Sequence, residues 1–176
     1  MTQIAQTGGA TFSFATRKLE IIIALVVVVL DQVTKAMVRP MLALHDSIEV
    51  IPGYVDFTRV HNTGAAFGML NGVDLPYKTV ILSLVALIAL AGVAWYAATV
   101  PLGDRLARFG IAGVLGGAIG NLIDRARTGY VLDFVDAYWR GWHFWAFNVA
   151  DAAITFGVIF MILDILGLGR RAPNPV

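Results

Sequence analysis

The chain has 176 residues, of which 58% are hydrophobic and 14% are charged, and its formal net charge is +1. This composition has more apolar residues and fewer charges than ordinary soluble domains, so it predicts an integral membrane protein with one compact domain. The chain has no cysteine, which excludes disulfides and cysteine-based nucleophiles or metal sites. Its three histidines lack HExxH spacing and it has no basic tract, so we expect no metal, no cofactor and no nucleic acid partner.

Four long apolar runs predict four transmembrane helices, because about 20 residues at about 1.5 Å each cross a ~30 Å hydrocarbon core. The predicted spans are residues 19–38, 77–100, 106–127 and 147–168. The first run is too long for a cleaved secretory signal and is not followed by a small-residue cleavage site. Lysines and arginines flanking the first and last spans favour cytoplasmic tails at residues 1–18 and 169–176. Asp164 then lies near the cytoplasmic end, where we expect it to be solvated or paired close to Arg170 and Arg171.

Two connections are predicted on the opposite side of the membrane. In residues 41–75, the segments 48–51 and 54–60 are rich in β-branched and aromatic residues, and Pro52-Gly53 between them signals a turn, so we expect a small extracytoplasmic sheet. The connection 129–146 is rich in aromatic residues, and Trp139, Trp142 and Trp145 are typical of an interfacial belt. The predicted fold is therefore an all-α membrane protein with four transmembrane helices, a small extracytoplasmic β-sheet and a loop.

The loop follows the predicted sheet. Asn62 and Gly64 suggest a tight turn that leads into the apolar residues Phe67, Met69 and Leu70. Two interpretations remain open here. The loop is either a lid over a substrate or a plain turn that packs onto the bilayer.

An acid and a lysine lie in the first span. Asp31 and Lys35 have the i, i+4 spacing, acid first, that favours an ion pair on one helix face. One interpretation is a neutralised pair that lets the helix insert, with Lys35 extending outward to the interface. The other is that the pair orients a functional site.

Glycines recur along the third span at three- and four-residue steps: Gly113, Gly116, Gly117 and Gly120. Such a stripe lets another helix approach closely. Asn121, Asp124 and Arg125 continue the same helical face. Close packing therefore brings these polar groups into the interior of the bundle.

Three acids lie close to apolar segments: Asp124, Asp133 and Asp151. An ionised carboxylate within a membrane costs about 2.5–3.5 kcal/mol on insertion scales, so it normally has a partner or a function. Ser47 and Ser83 have no histidine and acid in a recognisable arrangement, so a carboxylate pair that activates water is the chemistry left. Two close aspartates share a proton, which suits this chemistry. An ion pair with Arg125 would explain Asp124, and a helix dipole would explain Asp151. The residues alone favour the pair of Asp133 and Asp151 only modestly. Both acids are expected near outer helix ends, where water can reach them.

Five strings in order resemble the bacterial lipoprotein signal peptidase, the type II signal peptidase: DQVTK (31–35), NTGAAFG (62–68), GGAIGNLIDR (116–125), VLDF (131–134) and FNVAD (147–151). Each string alone is weak, but together they are specific. The family's usual Val-Val-Asp reads Val-Leu-Asp here, which is a conservative change.

The resemblance implies an aspartic peptidase of the bacterial inner membrane that cleaves prolipoproteins N-terminal to a diacylglyceryl-modified cysteine, near the periplasmic face. It places the catalytic aspartates at Asp133 and Asp151. It also implies inhibition by the cyclic peptide globomycin, contact with membrane lipid, and action as a monomer without a cofactor. The implied supporting residues are Asp31, Lys35, Asn62, Gly64, Asn121, Asp124, Arg125 and Asn148.

The alternative functions are a carrier and a small membrane scaffold. A proton- or cation-coupled carrier would use Asp31, Asp124, Asp133 and Asp151 as a relay. Against it, the acids lie toward one face and the chain has no repeated half. A small membrane scaffold would leave the cost of the buried acids unexplained.

Overall fold

A computed structural model describes residues 14–65 and 69–168. Residues 1–13 of the predicted tail 1–18, the predicted tail 169–176, and Phe67 of the apolar loop lie outside the described residues. A 3-10 turn, Phe14–Arg17, leads into the first of four helices: α1 Lys18–Met41, α2 Lys78–Thr99, α3 Arg105–Thr128 and α4 Val149–Ile165. Four strands complete the described fold: β1 Ser47–Ile51, β2 Val55–Asn62, β3 Val131–Trp139 and β4 Trp142–His143.

Three of these helices, α1 to α3, are long and apolar enough to cross a membrane, with mean hydropathies of 2.2, 2.4 and 1.5. No residue of α2 is buried within the protein, although the helix is strongly apolar. Such a surface is stable in lipid and not in water. Helix α4 has 17 residues, at the lower end of the length range for a membrane span.

The sheet is antiparallel, with the strand order β1-β2-β3-β4. The sequence predicts the hairpin of β1 and β2 but not β3, which lies in the predicted aromatic connection 129–146. The first four residues of β3 are all buried. A strand covered on both faces lacks the alternation of apolar and polar residues that reveals a strand in a sequence.

The sheet is joined to the bundle through a small apolar core. Val38 and Leu42, at the end of α1, pack against Leu132 and Phe134 of β3. Asp133 lies between these two buried residues of β3, so its backbone position is fixed by apolar packing on both sides.

The glycine stripe of α3 has the predicted role. A Cβ atom on Gly113 would lie 2.9 Å from the carbonyl oxygen of Ala153 in α4, and one on Gly116 would lie 2.7 Å from that of Ala24 in α1. Neighbouring backbones therefore approach α3 more closely than any side chain allows.

We expect Gly117→Ala to destabilise the protein by about 1–3 kcal/mol, because the new methyl group would overlap the carbonyl oxygen of Ala150. Thermal unfolding in detergent micelles measures this. Gly92→Ala in α2 is the matched control, because a Cβ atom there meets nothing within 4 Å. Alanine is the better helix former, so the control should be neutral or stabilising by up to about 1 kcal/mol. Equal melting temperatures for both variants would contradict the packing argument.

Candidate active site

A buried ammonium group lies at the centre of the polar cluster. Lys35 Nζ is 2.9 Å from both Asp31 Oδ2 and Asp124 Oδ2, and donates to Asn121 Oδ1 at 3.1 Å. The side chain of Lys35 is 1% exposed. The predicted pair with Asp31 is therefore confirmed, and the interpretation that Lys35 extends outward is wrong. The position of Lys35 favours the interpretation that it orients a site.

The two acids around Lys35 also bind the backbone. Asp31 Oδ1 accepts from Ala150 N at 3.0 Å, at the start of α4. Asp124 Oδ2 accepts from Leu132 N at 3.1 Å, at the start of β3. The ion cluster thus fixes the first residues of the two elements that carry Asp151 and Asp133.

The suggested ion pair between Asp124 and Arg125 is wrong. The cations that pair with Asp124 are Lys35 and, at 3.5 Å, Arg39 of α1. Arg125 instead donates through Nη2 to the carbonyl oxygen of Gly64 at 2.9 Å. Adjacent residues on a helix point in different directions, so sequence adjacency does not make a pair.

Asp133 lies on β3, rather than near a helix end as predicted, and is 2% exposed. Its Oδ2 accepts from Asn62 Nδ2 at 3.0 Å, and its Oδ1 accepts from Asn148 Nδ2 at 2.6 Å. Burial first, and then the negative charge of Asp151, raise the pKa of Asp133 to about 7, against the lowering effect of these two hydrogen bonds. Asp133 therefore retains a proton near neutral pH more readily than an exposed aspartate does.

Asp151 lies in the first turn of α4 and is partly exposed. Its backbone N–H donates to Oδ1 of Asn148, the helix N-cap, at 2.9 Å. Its carboxylate Oδ1 accepts from Asn121 Nδ2 at 2.7 Å, and Oδ2 has no hydrogen-bond partner among the described residues. One oxygen of this acid is therefore held, and the other is left for a further group.

Two asparagines connect the acids. Asn121 accepts from Lys35 and donates to Asp151, and Asn148 donates to Asp133 and caps the helix of Asp151. The Asn148 amide also lies 3.3 Å from Asn121 Oδ1. In each asparagine the amide nitrogen donates to one group and the amide oxygen accepts from another, which fixes the orientation of the amide. The network brings both acids to one polar site at the end of the bundle.

The predicted tight turn lies beside this site. Gly64 N donates to Asn62 Oδ1 at 2.9 Å, and a Cβ atom on Gly64 would lie 2.7 Å from Asn71 N, so no larger residue fits. Met69 and Leu70 are 58% and 45% exposed, in the apolar loop that follows. Between a lid and a plain turn, the described residues do not decide.

Sequence reasoning missed Gln32. Its Nε2 lies 3.1 Å from Asp31 Oδ2, 3.2 Å from Gly120 O and 3.3 Å from Asp124 Oδ1. The available signal was an uncharged amide directly after Asp31 in a largely apolar span. Asp164 is 5% exposed, so the expectation that it is solvated is wrong, and its Oδ1 has no hydrogen-bond partner in the described part of the chain. The alternative, a pair with Arg170 or Arg171, stays a prediction. Arg170 and Arg171 lie outside the described residues.

Residues 23–167 match the family described as signal peptidase (SPase) II. The chain belongs to the signal peptidase II family. It is 45% identical over 153 residues to the lipoprotein signal peptidase of Symbiobacterium thermophilum, covering 87% of this chain and 97% of the relative. The lipoprotein signal peptidase of Geobacter metallireducens is 42% identical over 150 residues, covering 85% of this chain and 91% of the relative.

Solved structures described as a bacterial membrane enzyme have the same fold as this signal peptidase II family member. One, at 2.3 Å resolution, superposes with a TM-score of 0.74 at 33% identity, covering 90% of this chain and 94% of the other. Another, at 1.9 Å resolution, gives a TM-score of 0.77 at 33% identity, covering 85% and 93%. The chain is thus a membrane protein with the fold of a membrane enzyme, and its family indicates a peptidase.

The raised pKa of Asp133 predicts a pH-dependent stability. The pKa is about 7 in the folded protein against an ordinary value of 3.8, so ionisation costs the folded state more than the unfolded state as pH rises. Asp133→Asn stays neutral. The melting temperature of Asp133→Asn minus that of the unmodified protein should therefore increase from about pH 4 to about pH 7 and then level off. A difference that is constant, or that falls over this range, contradicts the prediction.

Proposed function

We propose that this chain is an aspartic endopeptidase that removes the signal peptides of prolipoproteins by hydrolysis N-terminal to a diacylglyceryl-modified cysteine. The observation that carries the proposal is the pair Asp133 and Asp151, which two asparagines hold in one hydrogen-bond network. The lipoprotein signal peptidases to which the chain is similar support the substrate class.

The two acids have different environments, which suits different roles in hydrolysis. Asp151, with one oxygen free of described partners, accepts a proton from water, and the water oxygen bonds to the carbonyl carbon of the scissile peptide. Asp133, whose pKa is raised to about 7, donates its proton to the carbonyl oxygen. This gives a neutral tetrahedral diol, with the proton from water on Asp151 and Asp133 ionised.

Collapse of the diol reverses the proton positions. The proton on Asp151 passes to the peptide nitrogen, and the C–N bond breaks to release an amine. A hydroxyl proton of the diol returns to Asp133, and the other product is a carboxylic acid. The carboxyl pair is then in its starting protonation state, so no metal or cofactor takes part in this proposed cycle.

The membrane placement that we propose follows from the two ends of the bundle. Helix α4 forms the fourth span, and its residues Phe156 and Ile165 are 60% and 70% exposed despite being apolar. The bundle end opposite the two aspartates carries Arg17, Lys18, Arg105 and Arg108, which favours a cytoplasmic location for that end. The site then faces the periplasm from the inner membrane, where a lipidated cysteine keeps its acyl chains in the bilayer. We propose that the protein acts there as a monomer, without nucleic acid or cofactor.

We expect Asp133→Asn and Asp151→Asn each to lower the rate of cleavage of a lipidated precursor peptide by at least about 100-fold, because each removes one proton-transfer group. The assay uses protein purified in detergent, with equal amounts of folded protein confirmed by thermal unfolding.

The matched control is Asp74→Asn, the same change at an exposed acid before α2. It should cleave at the unmodified rate. If either Asp133→Asn or Asp151→Asn cleaves at a near-normal rate while folded, the aspartic mechanism is wrong.

We expect globomycin to inhibit the same assay, as the family resemblance implies. A cyclic peptide that occupies the site should also raise the melting temperature of the unmodified protein, because a ligand that binds only the folded state stabilises it. Cleavage that continues unchanged at saturating globomycin would count against this assignment of the site.

A further inference from the structure

Four basic side chains lie where the outer end of α1 meets β2. This outer basic cluster consists of Arg39, His45, Arg59 and His61. Arg59 Nη1 donates to the carbonyl oxygens of Arg39 and Leu42, both at 3.0 Å, and His45 N donates to Arg59 O at 2.8 Å. The cluster is therefore built into the joint between the helix and the sheet.

The charges of the cluster are not balanced within the protein. The two positive charges of Lys35 and Arg39 are balanced by the two negative charges of Asp31 and Asp124. Arg59 forms no ion pair with any described carboxylate, and its contacts given above are to uncharged carbonyl groups. One guanidinium charge therefore lacks a counter-ion at this joint.

Several nitrogen atoms of the cluster also lack partners. Arg39 Nε, Arg59 Nε and His61 Nε2 are buried without a hydrogen bond, whereas the other unpaired buried side-chain atoms of the described residues are carboxylate oxygens. Burial and then the positive charges of Arg59, His45 and Arg39 lower the pKa of His61. Unpaired buried polar groups in native proteins often mark an unseen ion. Because these unpaired nitrogen atoms are surrounded by positive charges, the ion that fits them is an anion.

The cluster lies next to a lipid-facing surface. Met37 and Met41, in the last turns of α1, are 59% and 62% exposed, and Leu44 is 44% exposed. The guanidinium of Arg39 is itself reachable, since its side chain is 29% exposed. An apolar helix end followed by basic side chains is the arrangement expected at the depth of lipid headgroups.

We propose that the outer basic cluster binds the phosphate group of an anionic phospholipid in the outer leaflet, with Arg59 as its main contact. Arginine suits this ligand because its planar group donates two parallel hydrogen bonds to phosphate oxygens. The acyl chains of the lipid would cover Met37 and Met41. None of the four side chains of the cluster forms a hydrogen bond or ion pair with Asp133 or Asp151 among the described contacts, and the proposal does not depend on the roles of these two acids.

Native mass spectrometry of the full chain in a maltoside detergent tests this, with three probes at equal concentration. The probes are phosphatidylglycerol, a diacylglycerol with the same acyl chains, and inorganic phosphate. We expect bound phosphatidylglycerol, and at least fivefold less of each other probe. Equal binding of diacylglycerol, or equal binding of inorganic phosphate, overturns the proposal, because the first needs no phosphate site and the second needs no lipid.

Arg59→Gln should weaken phosphatidylglycerol binding about tenfold, since it removes a charged hydrogen bond. Arg127→Gln is the matched control, because Arg127 is an exposed arginine at the outer end of α3. The affinity of this variant for phosphatidylglycerol should stay unchanged. An unchanged affinity in Arg59→Gln, or an equal loss in both variants, overturns the proposal.

Arg59→Lys decides the question if Arg59→Gln does not fold, because lysine keeps the positive charge. Lysine lacks the planar group that donates two parallel hydrogen bonds, so we expect at least a threefold loss of affinity for phosphatidylglycerol. An affinity equal to that of the unmodified protein overturns the assignment of Arg59 as the main contact. Cleavage of a precursor peptide plays no part in this readout, so failure of the lipid site and failure of the peptidase mechanism are distinguishable.

Discussion

The buried charge of Lys35 is the constraint on which the rest of the site depends. A buried ammonium group is stable only when it is paired, and Asp31 and Asp124 supply that pairing. Both acids use a further oxygen contact to hold backbone N–H groups of α4 and β3. Loss of Lys35 would leave two carboxylates buried together, and the start of both elements would lose its anchor. The position of the site therefore follows from an interaction that takes no direct part in the proposed proton transfers.

The parts of the fold that the sequence predicts are those that depend on local spacing. Glycines at three- and four-residue steps predict the close approach of α3 to its neighbours, and the structure confirms it at Gly113 and Gly116. The i, i+4 spacing predicts the pair of Asp31 and Lys35, which is also confirmed. The turn at Gly53 predicts the hairpin of β1 and β2. Each pattern lies within a few residues, so no distant partner has to be known.

The parts that the sequence does not predict depend on distant partners. Asn62 and Asp133 are 71 positions apart, and they meet because β2 and β3 pair. Spacing contains no information on that pairing, so the sequence predicts a connection where β3 lies and an ion pair of Asp124 with Arg125 that does not form. Motif resemblance selected Asp133 and Asp151 together, where residue chemistry alone favoured that pair only modestly.

The two aspartates are carried by elements of different kinds, one by strand β3 of the sheet and the other by the first turn of α4. A helix that spans a membrane changes its tilt when the thickness of the bilayer differs from its apolar length. Such tilting alone would alter the separation of the two carboxyl groups. The amide of Asn148 lies at the pivot, because it caps the helix and bonds to Asp133 across the joint. Asn148 therefore braces α4 against β3, and its two hydrogen bonds oppose a change in the spacing of the acids.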